Sequence, residues 1–213
     1  MMRRLFLAFV GSVLVTTAFA TTKAPVVKEG IDYTVLSTSL RASSAPKGKV
    51  NVKEFFSFTC IHCKDVDPLV EQILIPNKKI DLKKIQVVWE DGQAIDPNLA
   101  TLAKLNATLQ LLGLSKLYTP VFNAIFSQQN LTDTDALQKF LAQNGLTKEQ
   151  TAKFMQTYNS FMVNTKVGEY KNLTTQYNIT GTPTFIVADK YVVKPAQPAR
   201  LVEVVQALVD KVK

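Results

Sequence analysis

The chain has 213 residues, of which 46% are hydrophobic and 20% charged, and its formal net charge is +8 at pH 7. This length and composition suit one folded domain, or one domain that carries an insertion. The lysines are scattered between apolar positions, and no basic stripe interleaved with aromatic residues is found. The positive charge therefore does not indicate a nucleic-acid-binding protein.

The N-terminus has the three parts of a secretory signal peptide. Arg3 and Arg4 precede an apolar run over residues 5–15, and the small residues at 18–20 suit a signal peptidase. The sequence predicts a signal peptide over residues 1–20, cleaved after Ala20, and hence a soluble exported protein. An uncleaved anchor is the alternative, although the apolar run is short for a bilayer.

Hydrophobic patterns predict a strand, a helix and a second strand in the first half of the chain. An extended segment over 30–45 leads to a strand at 49–59. Apolar side chains fall on both parities of this strand, which is typical of a central strand covered on both faces. A helix follows over 62–75, with a kink at Pro68, and a second strand over 85–90.

From about residue 98 to 176 the apolar spacing is helical with short breaks. Asp96-Pro97 predicts a helix start, Asn144-Gly145 a left-handed helix end, and the segment 147–150 a capping box. Five apolar residues after this box are predicted to lie in the core: Phe154, Met155, Tyr158, Phe161 and Met162.

Strand character returns after Gly181. Residues 185–188 and 191–193 flank Asp189-Lys190 and predict a hairpin. The last element is an amphipathic helix. Its predicted buried residues are Leu201, Val204, Val205, Leu208 and Val212.

The two cysteines and the single histidine of the chain lie within four residues, Cys60-Ile61-His62-Cys63. Tetrahedral zinc needs about four ligands, usually Cys or His, so a zinc site here would need carboxylates to complete it. A structural disulfide that closes so short a loop would remove little chain entropy. The motif therefore favours a redox-active dithiol, because Cys60 lies at a predicted helix N-terminus, where a thiolate is stabilised.

The position of each residue in the motif indicates its role. Cys60 precedes the helix and is predicted to be the exposed nucleophile, whereas Cys63 lies in the first turn and would resolve the mixed disulfide. His62 would stabilise the Cys60 thiolate if its imidazole approaches the sulfur, which would make the disulfide easier to reduce. An ordinary surface histidine is the alternative.

Strand, Cys-x-x-Cys helix, strand, hairpin and closing helix form the thioredoxin arrangement, interrupted here by helices. Three stretches accompany this order of elements: residues 55–63 (FFSFTCIHC), Asn159-Ser160-Phe161 and Gly181-Thr182-Pro183. With these features, essentially the whole mature chain resembles the periplasmic DsbA family. The resemblance implies an α/β thioredoxin fold with a helical insertion domain. The expected division is a signal peptide at 1–20, the first part of the thioredoxin-fold domain at 21–93, the helical insertion at 94–160, and the second part at 161–213.

The resemblance also implies an activity. Proteins of this family are thiol:disulfide oxidoreductases that introduce disulfide bonds into newly exported proteins, and an acidic cysteine and a strongly oxidising disulfide are known family properties. The expected partners are unfolded cysteine-containing proteins and a DsbB-like membrane protein that reoxidises the dithiol. No cofactor or metal beyond the Cys60–Cys63 pair is implied, and the protein is expected to be a monomer.

Further site residues follow from the resemblance. Pro183 is expected to be cis and to lie against the dithiol, with Thr182 and Ile61 at the substrate-binding surface. Glu54 has the parity of inward-facing residues and is expected beneath the dithiol as a proton-transfer group. Lys84, just before the second strand, is expected to be its partner. The alternatives are a strand-edge Glu and a solvated Lys.

Three departures from the family pattern leave the strength of the oxidant open. Ile61 replaces the familiar proline of the dipeptide, Thr182 replaces the valine often found before the cis-proline, and Pro68 matches the kink position of thioredoxin. The rival functions are a disulfide isomerase or reductase, and a peptide-binding chaperone on the same fold. Isomerases of this type usually carry an added dimerisation domain, for which the residues before the first strand are too few.

Overall fold

The computed structural model describes residues 25–36, 45–89 and 97–212. The predicted signal peptide, the Asp96 helix start and part of the predicted 30–45 segment lie outside these residues. Within the described part of the chain, no helix is both long and apolar enough to cross a membrane.

A five-stranded mixed sheet forms the centre of the described structure, in the order β1-β5-β4-β2-β3. Central β2 pairs parallel with β3 and antiparallel with β4, and β5 pairs antiparallel with β4 and with β1. The strands are β1 (Tyr33–Val35), β2 (Val50–Phe56), β3 (Ile80–Gln86), β4 (Thr184–Val187) and β5 (Tyr191–Val193).

Seven α-helices surround the sheet in the described residues. They are α1 (Ile61–Leu69), α2 (Pro97–Leu111), α3 (Tyr118–Phe126), α4 (Thr134–Gln143), α5 (Lys148–Tyr158), α6 (Phe161–Gln176) and α7 (Pro198–Lys211). A π-helical segment (Val70–Leu74) continues α1, and a 3₁₀ turn (Ser115–Leu117) precedes α3.

The helix after the dithiol changes its hydrogen bonding near Pro68. The α-helical pattern ends at Leu69, and the N–H of Ile75 donates to the carbonyl of Val70 at 3.0 Å, five residues back. Pro68 supplies no backbone N–H, so the α-helical ladder is already interrupted there. The hydrogen bonding thus changes from α to π soon after Pro68, and the predicted kink of the axis stays a prediction.

The second strand was placed wrongly by the sequence pattern. It runs over Ile80–Gln86 rather than 85–90, and Lys84 lies inside it, opposite Glu54, rather than before it. Its first five residues include Asp81, Lys83 and Lys84, which obscure a strand pattern. Pairing with β2 along its whole length overrides this weak propensity.

Phe161 and Met162 do not join the core as predicted. They are 86% and 62% exposed, whereas Phe154 and Tyr158 are buried. The helix breaks at Ser160, whose hydroxyl accepts a hydrogen bond from the N–H of Val163 at 3.3 Å and caps a new helix, α6. This break resets the helical phase, and α6 buries Val163 and later residues instead.

The order of elements is the predicted thioredoxin arrangement with a helical insertion. Helices α2 to α5 come between β3 and α6, and the β4–β5 hairpin and α7 complete the second part of the chain. The capping box at Thr147 and Gln150 and the left-handed Gly145 are both present. The exact insertion bounds, 94–160, stay a prediction.

The insertion packs on the face of the sheet that carries the dithiol. Phe58, which follows β2, packs against Tyr118 and Phe122 of α3, with ring centroids 5.8 and 5.1 Å apart. Cys63 belongs to the same buried cluster of side chains. The insertion therefore covers one of the two cysteines from behind.

Candidate active site

The dithiol lies where the central strand passes into α1. β2 ends at Phe56, a short turn follows, and Cys60 is the N-cap residue of α1. Cys60 is partly buried and Cys63 is fully buried, and the two are free thiols. The same two residues of the motif therefore have very different access to a substrate, as the sequence predicted.

The pKa of Cys60 is lowered to about 5 by the groups around its sulfur. The largest cause is a hydrogen bond from the Cys63 side chain, and the Thr182 side chain and the backbone N–H groups of Cys63 and His62 add to it. Partial burial acts in the opposite direction without cancelling these donors. Cys60 is consequently a thiolate at neutral pH.

Cys63 has the opposite character. Burial raises the pKa of its thiol far above the usual range, and the neighbouring Cys60 sulfur raises it further. Cys63 therefore keeps its proton and can donate it in a hydrogen bond to Cys60. One motif thus contains an anionic, accessible sulfur and a neutral, covered one.

The loop before β4 lies directly against the reactive sulfur. The Thr182–Pro183 peptide bond is cis, which confirms the prediction. When protonated, the Cys60 thiol donates to the Thr182 carbonyl at 3.3 Å. Thr182 therefore contacts the sulfur through its backbone, and its side chain helps to lower the Cys60 pKa.

His62 lies on the exposed side of α1. Its backbone N–H is among the groups that lower the Cys60 pKa. This contact comes from its place in the first helical turn and not from its imidazole. The predicted role of the imidazole therefore stays a prediction.

A groove of about 690 Å³ adjoins the dithiol. It is lined by His62 and Asp65 of α1, by the cis-proline loop, and by the end of β5 and the segment that follows it. Ile61, which is 46% exposed, lies next to His62 at the start of α1. An accessible sulfur beside an open groove suits an extended peptide.

Charged side chains are buried on β2, β3 and α1. Glu54 is fully buried, and its Oε2 lies 2.8 Å from Nζ of Lys84. The same Nζ lies 2.8 Å from Oδ1 of Asp67. The structure brings Glu54 and Lys84 together as predicted, and it adds Asp67, which sequence reasoning missed.

This cluster has more carboxylates than cations, and the pKa shifts reflect that excess. Burial raises the pKa of Glu54, and Lys84 offsets this only in part. Burial alone would lower the pKa of Lys84, but Glu54 and Asp67 outweigh it and raise that pKa. Lys84 thus stays charged, and Glu54 is the member best suited to hold a proton.

Asp67 could have been found from its spacing. It lies four residues after Cys63, on the face of α1 that also buries Val66. A carboxylate on a buried helical face needs a charged or hydrogen-bonding partner. Asp67 has two, Lys84 and the Thr119 hydroxyl, which donates to Oδ2 at 2.9 Å.

Comparison with known proteins matches this architecture. The family model described as Thioredoxin matches residues 42–207. The thiol:disulfide interchange protein DsbA of Burkholderia cepacia is 38% identical over 170 residues, which cover 78% of this chain and 76% of that protein. The DsbA of Bordetella pertussis is 33% identical, with 70% and 68% covered.

Solved structures of DsbA proteins share this fold. The oxidoreductase NmDsbA1 from Neisseria meningitidis superposes with a TM-score of 0.72 at 28% identity, covering 87% of this chain and 93% of that one. The chain belongs to the DsbA family of thiol:disulfide oxidoreductases. Its α/β thioredoxin fold with a helical insertion is that of the DsbA neighbours.

DsbA proteins work through a pair of cysteines, and the cysteine pair of this chain occupies the expected strand-to-helix turn. In the described ranges, no group of three or more His, Cys, Asp or Glu side chains is placed to hold a metal ion.

The low Cys60 pKa predicts a specific pH dependence. The folded reduced protein has a pKa of about 5 at Cys60, below the value of about 8.5 for an unfolded cysteine. A lowered pKa stabilises the reduced fold fully above the unfolded value, and this contribution disappears as pH falls through about 5. Ultraviolet thiolate absorbance should titrate near pH 5, and a midpoint at or above about 8.5 would contradict the assignment.

The Thr182 side chain should measurably tune Cys60. Thr182→Val removes a group that lowers the Cys60 pKa, so the pKa should rise and the disulfide should become less oxidising. Thr184→Val is the matched control, because that hydroxyl donates to the Gly181 carbonyl in the same loop at 2.8 Å. Equal thiolate titrations for both variants would show that the Thr182 side chain has no such role.

Proposed function

We propose that Cys60 and Cys63 transfer a disulfide to exported proteins in two fixed, different roles. A substrate thiolate attacks Sγ of Cys60 in the oxidised protein, the Cys60–Cys63 bond breaks, and Cys63 leaves and takes up a proton. A second substrate thiolate then attacks the substrate sulfur of the mixed disulfide and releases Cys60 as a thiolate. The substrate loses two electrons, and the dithiol gains them.

The observation that supports this direction is the contrast between the two sulfurs. A leaving thiol departs faster when its pKa is lower, and the pKa of Cys60 is lowered to about 5. Release of the oxidised substrate is therefore favoured. Burial and the raised pKa keep Cys63 away from substrates and neutral in the reduced protein.

The substrate is an extended, cysteine-containing segment of an unfolded protein. The groove beside the cis-proline loop is open and contains apolar and polar groups. The backbone of Thr182 would pair with such a segment, and the exposed Ile61 side chain would contact its apolar residues. His62, at the groove wall, would assist the thiolate through its imidazole.

Glu54 and Lys84 would take part in transferring a proton to Cys63 when it leaves. Departure of Cys63 creates a thiolate in a buried, apolar setting where charge is unfavourable. Glu54 is buried, has a raised pKa and lacks a hydrogen-bond partner at Oε1 within the described residues. It would supply the proton, and Lys84 would stabilise the carboxylate that remains.

The protein works in the periplasm, after export directed by residues 1–20. A DsbB-like membrane partner would reoxidise the dithiol, and the protein would act as a monomer. N-terminal sequencing of the protein recovered from the periplasmic fraction should begin at Thr21. A mature protein that retains Arg3 and Arg4 would contradict this part of the proposal.

The central experiment offers the oxidised protein a reduced, unfolded substrate and follows disulfide formation over time. The wild type should form about one substrate disulfide per protein molecule without added oxidant, and Cys60→Ser should form none. Activity only on scrambled disulfides would favour an isomerase. Protection from aggregation that survives Cys60→Ser, without disulfide transfer, would favour a chaperone.

Glu54→Gln should slow formation of the mixed disulfide, the step in which Cys63 leaves and takes up a proton, without changing the thiolate titration of Cys60. The variant cannot exchange a proton at this position, and general acid–base groups typically contribute about 10²-fold or more. Formation and decay of a mixed disulfide should be followed against pH by rapid mixing. Glu71→Gln is the control, because Glu71 is a less buried carboxylate near the same cluster. Unchanged rates in Glu54→Gln would remove Glu54 from the mechanism.

A further inference from the structure

Gln86 is a buried amide whose hydrogen bonds lead to the turn before the dithiol. It is the last residue of β3 and is fully buried. Its Oε1 accepts from the N–H of Phe58 at 3.0 Å. Its Nε2 donates to Oγ of Ser57 at 3.3 Å and to the carbonyl of Val87 at 3.2 Å.

The amide lies where the sheet ends. Pairing of β2 with β3 stops at Phe56 opposite Gln86, and the N–H of Val87 donates to the carbonyl of Phe56 at 2.8 Å. The chain after Phe56 turns away from β3 toward α1. The Gln86 side chain continues the bonding pattern of the sheet, since a side-chain amide offers the same donor and acceptor as a peptide group.

Ser57, which Gln86 holds, contacts both cysteines through its backbone. The N–H of Cys60 donates to the Ser57 carbonyl at 3.0 Å. A backbone hydrogen bond from Ser57 also acts on the Cys63 thiol. Any movement of Ser57 would therefore shift both sulfurs relative to each other and to the helix N-terminus.

Besides the packing of Phe58 against α3, the other hydrogen bonds of the Ser57 side chain in the described structure stay within the turn. The Ser57 hydroxyl accepts from the N–H of Thr59 at 3.3 Å and lies 2.9 Å from its hydroxyl. These contacts are internal to the turn. Gln86 is the side chain that connects the turn to a neighbouring strand through both Phe58 and Ser57.

We propose that Gln86 is a positioning residue for the dithiol, which acts through Ser57 and Phe58 to hold Cys60 and Cys63 where the thiolate is stabilised. This inference rests on the proposed role of the Cys60 thiolate. A residue that only stabilises the fold would affect both redox forms equally. Gln86 should affect the reduced form more, because the stability of the thiolate depends on the positions of Cys60 and Cys63. In the disulfide form, the covalent bond itself fixes the distance between the two sulfurs.

The test replaces Gln86 by methionine, which keeps the length of the side chain and removes the amide. Gln86→Met should lower the equilibrium constant for reduction by glutathione about three- to tenfold, the range expected from one ordinary hydrogen bond at the thiolate. The Cys60 pKa should rise in the same variant, measured by thiolate absorbance and by the pH dependence of alkylation.

The control is Asn51→Leu. Asn51 is another buried amide, at the opposite end of the β2–β3 pairing, and its Nδ2 donates to Oδ2 of Asp189 at 3.0 Å. This variant should destabilise both redox forms alike and leave the glutathione equilibrium unchanged. Ser57→Ala is a milder second variant, which removes one of the Gln86 bonds and should shift the equilibrium in the same direction by a smaller factor.

A Gln86→Met protein with the same glutathione equilibrium and Cys60 pKa as Asn51→Leu would overturn the inference. If Gln86→Met does not fold, Ser57→Ala decides, and an equilibrium equal to that of the wild type would overturn it. Failure of the proposed function is distinguishable, because the wild type itself would then lack an acidic Cys60 and would not oxidise substrates.

Discussion

The site depends on one constraint, which is that folding must hold the Cys60 sulfur as an anion between the N-terminus of α1 and the loop of Thr182. A thiolate in this place needs donors, and the structure supplies the Cys63 thiol, the Thr182 side chain and backbone N–H groups of the first helical turn. When Cys60 enters a disulfide, the Thr182 side chain and the backbone N–H groups lose their best acceptor, and the Cys63 thiol no longer exists as a donor. The more strongly the fold stabilises the reduced form, the more oxidising the disulfide therefore is.

A group of buried charged residues around Lys84 supports this arrangement. Lys84 is shared by Glu54 and Asp67, and its carbonyl accepts from Asn106 of α2 at 2.9 Å and from Gln110. A buried cation of this kind is tolerated only when its partners are well placed. One residue of β3 thus connects the buried charges with the helical insertion, and the insertion in turn covers Cys63.

Local chemistry was predictable from the sequence, whereas long-range pairing was predicted only where the family resemblance supplied it, as for Glu54 and Lys84. The Cys60 helix start follows from the motif, the buried Glu54 from strand parity and the cis Pro183 from the family resemblance, and all three are observed. The bounds of β3 and the exposure of Phe161 were predicted wrongly, because sheet pairing and a helix break decided them. Sequence reasoning placed neither Asp67 nor Gln86 in the site, although the spacing of Asp67 from Cys63 was a usable signal, whereas Gln86 gave none. Their partners lie on other elements.

The most direct test of the central claim compares the stability of the two redox forms. If folding stabilises the Cys60 thiolate more than it stabilises the Cys60–Cys63 disulfide, the reduced protein must be more stable than the oxidised one, contrary to the usual effect of a disulfide. Urea unfolding should be measured at neutral pH with and without reductant, and the slopes compared to confirm the same unfolding transition. The account predicts a higher urea midpoint for the reduced protein. A clearly higher midpoint for the oxidised protein would contradict it.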